Sequence, residues 1–217
     1  FFALVLSLIG YDLVMAMDPH WYSTLFGAYH FVKAFYVGLG AVIIAAALLQ
    51  GSGRLGNTVT AAHYHDIGKL FFAFCLVWAD FFYAQFVVIW YGNISEETSY
   101  IIQRTMAAPW NVLAWTVLIV CFIGPFLILI NKGIKTRPKA MLVICSIVIL
   151  GIWLEHKLLL GPAFDHSEGG LPVRLADIFD LVDLFVGLGF IGLMATTVGA
   201  YLRQFPQLLQ APTREVN

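Results

Sequence analysis

The sequence predicts an all-α membrane protein, a polytopic transmembrane helical bundle, from its composition and from the length of its apolar stretches. Hydrophobic residues make up 60% of the 217 residues and charged residues 12%, whereas soluble domains are about half apolar and about a quarter charged. Six apolar stretches follow one another along the chain. A helix needs about 20 residues to cross a bilayer core of about 30 Å. We therefore expect about six spanning helices.

The boundaries of these stretches carry residues that are typical of helix ends. Asp18 and Pro19 precede the second stretch, a Gly-Ser-Gly sequence at 51–53 follows it, and Pro109 and Pro138 lie near later ends. The first stretch begins within apolar sequence and lacks a basic flank and a cleavage site, so we expect a helix of an N-terminally incomplete chain and not a signal peptide. The predicted spans cover residues 1–17, 22–49, 66–91, 109–131, 139–160 and 181–203, and residues 204–217 form a predicted cytoplasmic tail.

The charged residues of the loops predict the orientation of the chain in the membrane. If the spans alternate in direction, most basic residues fall on one side, which the positive-inside rule makes cytoplasmic. The opposite side is mainly acidic and should face the periplasm or exterior. The basic side holds Arg54, Lys69, Lys132, Lys135, Arg137, Lys139, Arg203 and Arg214. The acidic side holds Asp18, Glu96, Glu97, Asp165, Glu168, Asp177 and Asp180, with Arg104, Lys157 and Arg174.

Two classes of function find no support in the sequence. The formal net charge is −1 and no basic block is present, so we expect no nucleic-acid partner. Cys75, Cys121 and Cys145 all lie in apolar stretches without a C-x-x-C spacing. We interpret them as small buried hydrophobic residues, with no disulfide and no metal site.

The third predicted span carries ionisable residues on one helical face. At about 100° per residue, His65, Lys69, Asp80 and Tyr83 fall within about 60° of one another. A carboxylate near the centre of a spanning helix costs roughly 2.5 to 3.5 kcal/mol on insertion scales, so such residues usually face a partner or a hydrated path. Asp80 is therefore either a proton-relay carboxylate or a buried residue that a neighbouring helix satisfies.

Lys33 in the second predicted span is the expected partner of Asp80. Both residues should lie near the bilayer midplane, and consecutive helices are often neighbours. An ion pair between them would offset the cost of removing both charges from water. Asp12, near the outer end of the first stretch, is the competing partner for Lys33. The sequence leaves open whether such a pair is static or exchanges protons.

Histidine and carboxylate side chains cluster near the predicted outer side. Carboxylate and imidazole groups can accept protons from a hydroquinone, because histidine titrates near neutral pH. We take His20, His30 and Glu155 as candidate quinol-binding residues. The same residue types also occur in ordinary hydrated loops, which is the alternative interpretation. The remaining residues expected at this interface are Asp18, His156, Lys157, Asp165 and His166.

Three segments of the sequence closely resemble one membrane-protein family. They are residues 17–27 (MDPHWYSTLFG), residues 65–74 (HDIGKLFFAF), and a run from 85 to 98 that ends IWYGNISEET. The chain resembles the ActF-type membrane subunit of alternative complex III, in the NrfD and polysulfide-reductase membrane-anchor family, from about Asp12 to Arg203. The family implies two four-helix bundles with flanking helices, so this chain would lack part or all of the first bundle.

The resemblance implies a subunit of a quinol-oxidising respiratory or photosynthetic complex in the bacterial cytoplasmic membrane. The expected partners are a paralogous quinol-binding membrane subunit, an iron–sulfur subunit, c-type haem subunits and lipid. The chain itself would hold no covalent or metal cofactor, and menaquinol or ubiquinol is the candidate ligand. Whether quinol binds this subunit or the paralogue stays open, as do proton pumping, the quinone species and the terminal acceptor.

Individual family positions carry over by resemblance alone. His65 matches the histidine that opens the corresponding helix, Asp66 and Lys69 match its polar neighbours, and Glu155 matches an acidic position of the fifth helix. His20 matches the histidine of the Asp-Pro-His-Trp segment. The sequence departs from the family at two positions, which puts a family proton route in doubt. Related sequences often have tyrosine at the position of Asp80 and histidine at that of Cys121.

Three further functions are weighed against this reading. A purely structural membrane anchor would use its charges inside the membrane as assembly contacts with partner subunits. A b-type cytochrome is less favoured, because no predicted helix carries two well-separated histidines. A secondary transporter would show broken helices in both halves, and only Gly124-Pro125 interrupts a predicted span.

Overall fold

The computed structural model describes residues 1–18, 21–53, 59–164 and 181–205. These residues form helices and connecting turns, with no strand among them, so the predicted all-α fold is confirmed. Five helices are long and apolar enough to cross a membrane, and Phe2–Met17 forms a shorter apolar segment. The chain is therefore a multi-pass membrane protein.

The described chain contains long spanning helices and several short helical elements. A 3₁₀ turn at Met15–Met17 follows the first helix, and a π turn at Ile119–Ile123 joins the fifth and sixth. In chain order the helices are α1 (Phe2–Leu13), α2 (Phe26–Gly51), α3 (Ala61–Gly92), α4 (Ser95–Thr105), α5 (Trp110–Leu118), α6 (Gly124–Leu129), α7 (Lys132–Lys135), α8 (Pro138–Phe164) and α9 (Leu181–Gln204).

Three helix boundaries differ from the ones expected from the sequence. α3 begins at Ala61, because Thr60 and His63 form a reciprocal capping box at its N-terminus. The predicted spans leave residues 92–108 unassigned, and most of these residues form α4, a polar amphipathic helix. Pro162 lies inside α8 and not beyond its end.

The core of the bundle lies around α2, which packs against α1, α3 and α8. Tyr36 of α2, Phe71 of α3 and Val148 of α8 are fully buried in this core. α8 also approaches the α5–α6 span closely at Gly151. A Cβ atom there would lie 2.6 Å from the Cys121 sulfur, so the absence of a side chain permits this contact.

The span formed by α5, the π turn and α6 keeps one face toward the core. The buried side chains of this span are spaced four residues apart. In a regular α-helix each four-residue step exceeds a full turn by about 40°, so after four steps the last side chain would point to nearly the opposite side. The π turn accommodates an extra residue in one turn and cancels most of that drift. Its Cys121 carbonyl accepts a hydrogen bond from the Tyr36 hydroxyl at 3.2 Å. The buried stripe is Leu113, Val117, Cys121, Pro125 and Leu129.

The two ends of the bundle are built from different elements. At the α4 end, Arg104 joins α4 to the Asp18 carboxylate and to the Leu159 carbonyl of α8. At the α7 end, Lys135 packs its side-chain carbons against Gly68 of α3. The predicted cytoplasmic basic residues that the structure describes between 131 and 139 lie at this α7 end.

α9 stands apart from the packed helices. None of its residues is buried, and its apolar side chains are exposed along the whole length. An ion pair between Lys157 of α8 and Asp183 of α9 links it to the bundle. A spanning helix of this composition therefore presents nearly all of its surface to lipid or to other protein.

Candidate functional site

A carboxylate lies in the interior of the bundle with two polar partners. Glu155 of α8 is 0% exposed and Lys33 of α2 is 2% exposed. The Lys33 Nζ atom lies 3.3 Å from Glu155 Oε1. The Tyr29 hydroxyl donates a hydrogen bond to the same oxygen. We call Tyr29, Lys33 and Glu155 the buried triad.

The local sequence explains how two helices form the triad. Tyr29 and Lys33 are four residues apart on α2, so their side chains lie on the same face of that helix. This face packs against α8, where Glu155 points inward. Lys33 lies about 10 Å along α2 from Phe26. A buried charge of either sign would be strongly unfavourable alone, and the pair offsets much of that cost.

The second carboxylate oxygen of the triad has no described donor. Glu155 Oε2 is buried without a hydrogen-bond partner in the part of the chain that the structure describes, and so is Trp78 Nε1. The Trp78 ring centroid lies 6.4 Å from that of Tyr29. Buried polar atoms are nearly always hydrogen-bonded, so Oε2 is the atom of the triad suited to accept a further hydrogen bond or a proton.

Two histidines lie beside the triad, with ring centroids 6.4 Å apart. His30 directs Nδ1 toward the Leu6 carbonyl at 3.1 Å, and His156 directs Nδ1 toward the Ile152 carbonyl at 2.8 Å. A carbonyl can only accept, so Nδ1 of each ring carries the hydrogen. In a neutral imidazole this leaves Nε2 as the proton-accepting nitrogen.

A buried arginine closes the α4 end of the bundle above the triad. Arg104 donates to the Tyr100 carbonyl at 3.0 Å, the Leu159 carbonyl at 2.7 Å and the Asp18 carboxylate at 3.3 Å. Burial lowers the pKa of Arg104, whereas Tyr100 and Asp18 act in the opposite direction. Its guanidinium lies outside the spans and remains charged, because an arginine pKa begins far above neutrality.

Aromatic rings connect Arg104 to the buried triad. The Arg104 guanidinium carbon lies 3.3 Å from the Tyr100 ring centroid, and the Trp21 ring stacks on Tyr100 at 3.9 Å. Both groups cannot occupy one face at these distances, so Tyr100 lies between them. The contacts continue from Trp21 to Phe26 at 5.4 Å and from Phe26 to Tyr29 at 6.0 Å. Packed rings therefore lie between Arg104 and the buried triad.

Three of the predicted site residues come together at the triad. Lys33, His30 and Glu155 all lie at the α2–α8 interface, although the sequence assigned Lys33 to a proton pathway and the other two to a quinol site. The predicted pairing of Lys33 with Asp80 was wrong, since Lys33 pairs with Glu155. Similar depth had suggested the Asp80 pairing, but α3 turns Asp80 to its outer, exposed side.

The other predicted proton-pathway residues lie away from the triad. Lys69, Asp80 and Tyr83 are exposed on α3, and Asp12 is exposed on α1. Lys69 and Asp80 are about 16 Å apart along the helix at about 1.5 Å per residue. The side chains between them on this face are apolar.

The α7 end of this stripe has its own polar contacts. Asp66 lies 2.8 Å from Lys69 and 3.7 Å from His65. His65 is therefore linked to Lys69 through Asp66 and not to Asp80. The predicted quinol-binding residue His20 lies outside the described residues, as do Asp165 and His166.

The sequence reasoning missed Tyr29, Trp78 and Arg104. Tyr29 could have been found from its four-residue spacing to Lys33, which places both on one face. The burial of Arg104 had no such signal, because it depends on how α4 folds over the end of α8. Its neighbourhood in the sequence is polar.

The described residues contain no group of three or more histidine, cysteine or acidic side chains that could hold a metal ion. The three cysteines are buried and unpaired. No protein-family model matches the sequence, and no curated protein matches it either. The fold and the site together define a class: a multi-pass helical membrane protein with an ionisable cluster enclosed in its bundle.

Proposed function

We propose that this chain is an integral membrane subunit of a quinol-oxidising electron-transfer complex, and that the buried triad handles protons of the reaction. The Glu155 carboxylate carries the proposal, because it is fully buried, binds Tyr29 and Lys33, and has one oxygen without a described partner. The resemblance to alternative complex III supplies the reaction class. It also supplies the bacterial cytoplasmic membrane as the location.

The chemistry of quinol oxidation divides the work between subunits. Oxidation of a quinol to a quinone releases its hydroxyl protons and its electrons. Under this proposal the electrons leave through iron–sulfur and c-type haem partners. The protons need acceptors, and Glu155 Oε2 and the Nε2 atoms of His30 and His156 are suited to this role. Tyr29 orients the carboxylate and Lys33 balances its charge.

A purely structural anchor is the second candidate. It is favoured by α9, none of whose residues is buried, and by the exposed polar residues of α3, which are suited to contacts with other subunits. In that case the buried triad would hold α2 against α8 and take no part in the reaction. Proton-pathway roles for His65, Lys69, Asp80 and Tyr83 would then be replaced by roles in assembly.

The test is removal of the carboxylate in the intact complex. Because Glu155→Gln alone leaves Lys33 buried without its partner, the variants are Glu155→Gln and the double variant Lys33→Met/Glu155→Gln. General acid–base catalysis contributes about 10²- to 10⁴-fold in rate. We expect the assembled double variant to lose at least about tenfold in quinol oxidation and proton release.

The matched control is Glu97→Gln on α4, which removes a carboxylate outside the triad. It should retain normal turnover and normal proton release. An assembled double variant with unchanged quinol oxidation and proton release would contradict the proposal and favour the structural anchor.

A further inference from the structure

The outer face of α3 carries a carboxylate without a described partner. Asp80 is exposed and has no hydrogen bond or ion pair within the ranges that the structure describes. α3 is 32 residues long, and Asp80 lies about 18 Å from its Gly92 end and about 28 Å from its Ala61 end. Asp80 is therefore within the hydrocarbon region, where an ionisable group facing lipid is costly.

The basic residues of the described spans are paired elsewhere or, like Lys139 and Arg203, lie at a helix end. Lys33 is paired with Glu155, and Lys157 is paired with Asp183. Lys69 binds Asp66 near the α7 end of α3. Among the described residues, the cation at the depth of Asp80 is therefore Lys33, which Glu155 already binds.

A second copy of this chain does not supply one either. Both copies would have the same orientation in the membrane, so contact through this face would place one Asp80 opposite the other at equal depth. Two carboxylates at close range in a medium of low polarity repel each other. The face is therefore unsuited to self-association.

The residues around Asp80 suit contact with another helix. Ala73 is small and exposed, and it precedes Leu76 by three residues, about one helical turn. Ala84 follows Asp80 by four residues. Small residues let helix backbones approach closely in membranes, and polar side chains then bind across the contact. Larger exposed side chains flank them, with Leu76 40% and Tyr83 65% exposed.

We propose that this surface, the Asp80 face (Ala73, Leu76, Val77, Asp80 and Tyr83), binds a transmembrane helix of another polypeptide that carries a lysine or arginine at the depth of Asp80. The cation satisfies the carboxylate in the membrane, and the apolar residues pack around the pair. The proposal is independent of the proton chemistry of the buried triad. It stands if the proposed reaction is wrong.

Site-specific photo-crosslinking in native membranes tests the occupant. A photoreactive amino acid replaces Leu76, and the reference probe replaces Leu127, an exposed apolar residue of α6. Crosslinked peptides are identified by mass spectrometry. We expect the Leu76 probe to capture an apolar segment of another polypeptide that contains lysine or arginine, at a yield at least about tenfold above the same product from Leu127. Capture of lipid alone, of a second copy or of another segment of this chain would overturn the proposal.

A charge exchange tests the chemistry of the contact. Asp80→Lys should reduce co-purification of the identified partner at least about tenfold, and changing the captured basic residue of the partner to aspartate should restore it. Asp66→Lys, at the α7 end of the same helix, is the matched control and should leave co-purification unchanged. The membrane level of each variant is measured in parallel. Normal co-purification of Asp80→Lys, or failure of the compensating change to restore it, would overturn the proposal.

Discussion

The buried ion pair of Lys33 and Glu155 allows a double-mutant cycle with a strong expected signal. The single variants are Lys33→Met and Glu155→Gln, and the third is their combination. Each single change removes one member of a pair that is 2% and 0% exposed. Breaking a buried pair by removing one partner costs about 3 to 5 kcal/mol, because the other charge stays buried without compensation.

The combined variant should be far less destabilised than the sum of the two single variants. It buries no uncompensated charge, and replacement of a whole buried pair by uncharged groups is often close to neutral. The remaining loss is the Tyr29 hydrogen bond to a carboxylate, about 1.5 to 3 kcal/mol, part of which the glutamine oxygen retains. We therefore expect a coupling energy of about 3 kcal/mol or more between the two positions.

Unfolding of the purified complex in mixed micelles, monitored at increasing denaturing detergent, measures this coupling. Lys157→Met is the matched control. Lys157 also lies in a span, but it is only partly buried, and its partner Asp183 is partly exposed as well. Its cost should be smaller, since solvent screens exposed pairs. Additive effects of Lys33→Met and Glu155→Gln would refute the reasoning, because they would mean that the two charges do not stabilise each other.

Two further predictions concern packing and topology. Gly161→Ala should destabilise the bundle by about 1 to 3 kcal/mol, because its Cβ would overlap the Trp110 indole, whereas Gly38→Ala has open space and should not; thermal unfolding compares them, and equal stability would contradict the packing. An impermeant thiol reagent should label Ser95→Cys but not Lys132→Cys in intact cells, because we place the α7 end in the cytoplasm; the reverse pattern would overturn the orientation. The native cysteines are buried and should give little background.

The fold class was predictable because apolar length is a one-dimensional property of the sequence. Composition and the lengths of the apolar stretches give an all-α membrane protein directly. α4 was not predictable in the same way, because its apolar residues form only one face of a short polar helix. The role of that face is evident only from the fold, in which α4 lies across the end of the bundle.

The candidate site was only partly predictable, for a geometric reason. Counting residues along a helix gives depth in the membrane, and on depth alone Lys33 matched Asp80. Which face of a helix points to the core depends on how the helices pack together, and the sequence of a single helix does not determine this packing. Glu155 and His30 were recognised from residue type and position. Their meeting with Lys33 required the α2–α8 contact.

The π turn at Ile119–Ile123 has a consequence for how this span tolerates changes of length. The turn holds one residue more than an α-helix needs to cover the same height. Loss of one residue there would let α5 and α6 keep their core-facing sides, with Pro125 still leaving one carbonyl of that turn without a helical donor. The deletion would remove the hydrogen bond between the Tyr36 hydroxyl and the Cys121 carbonyl. A one-residue deletion within a membrane span usually rotates everything beyond it by about 100°, and here the extra residue of the π turn should absorb that rotation.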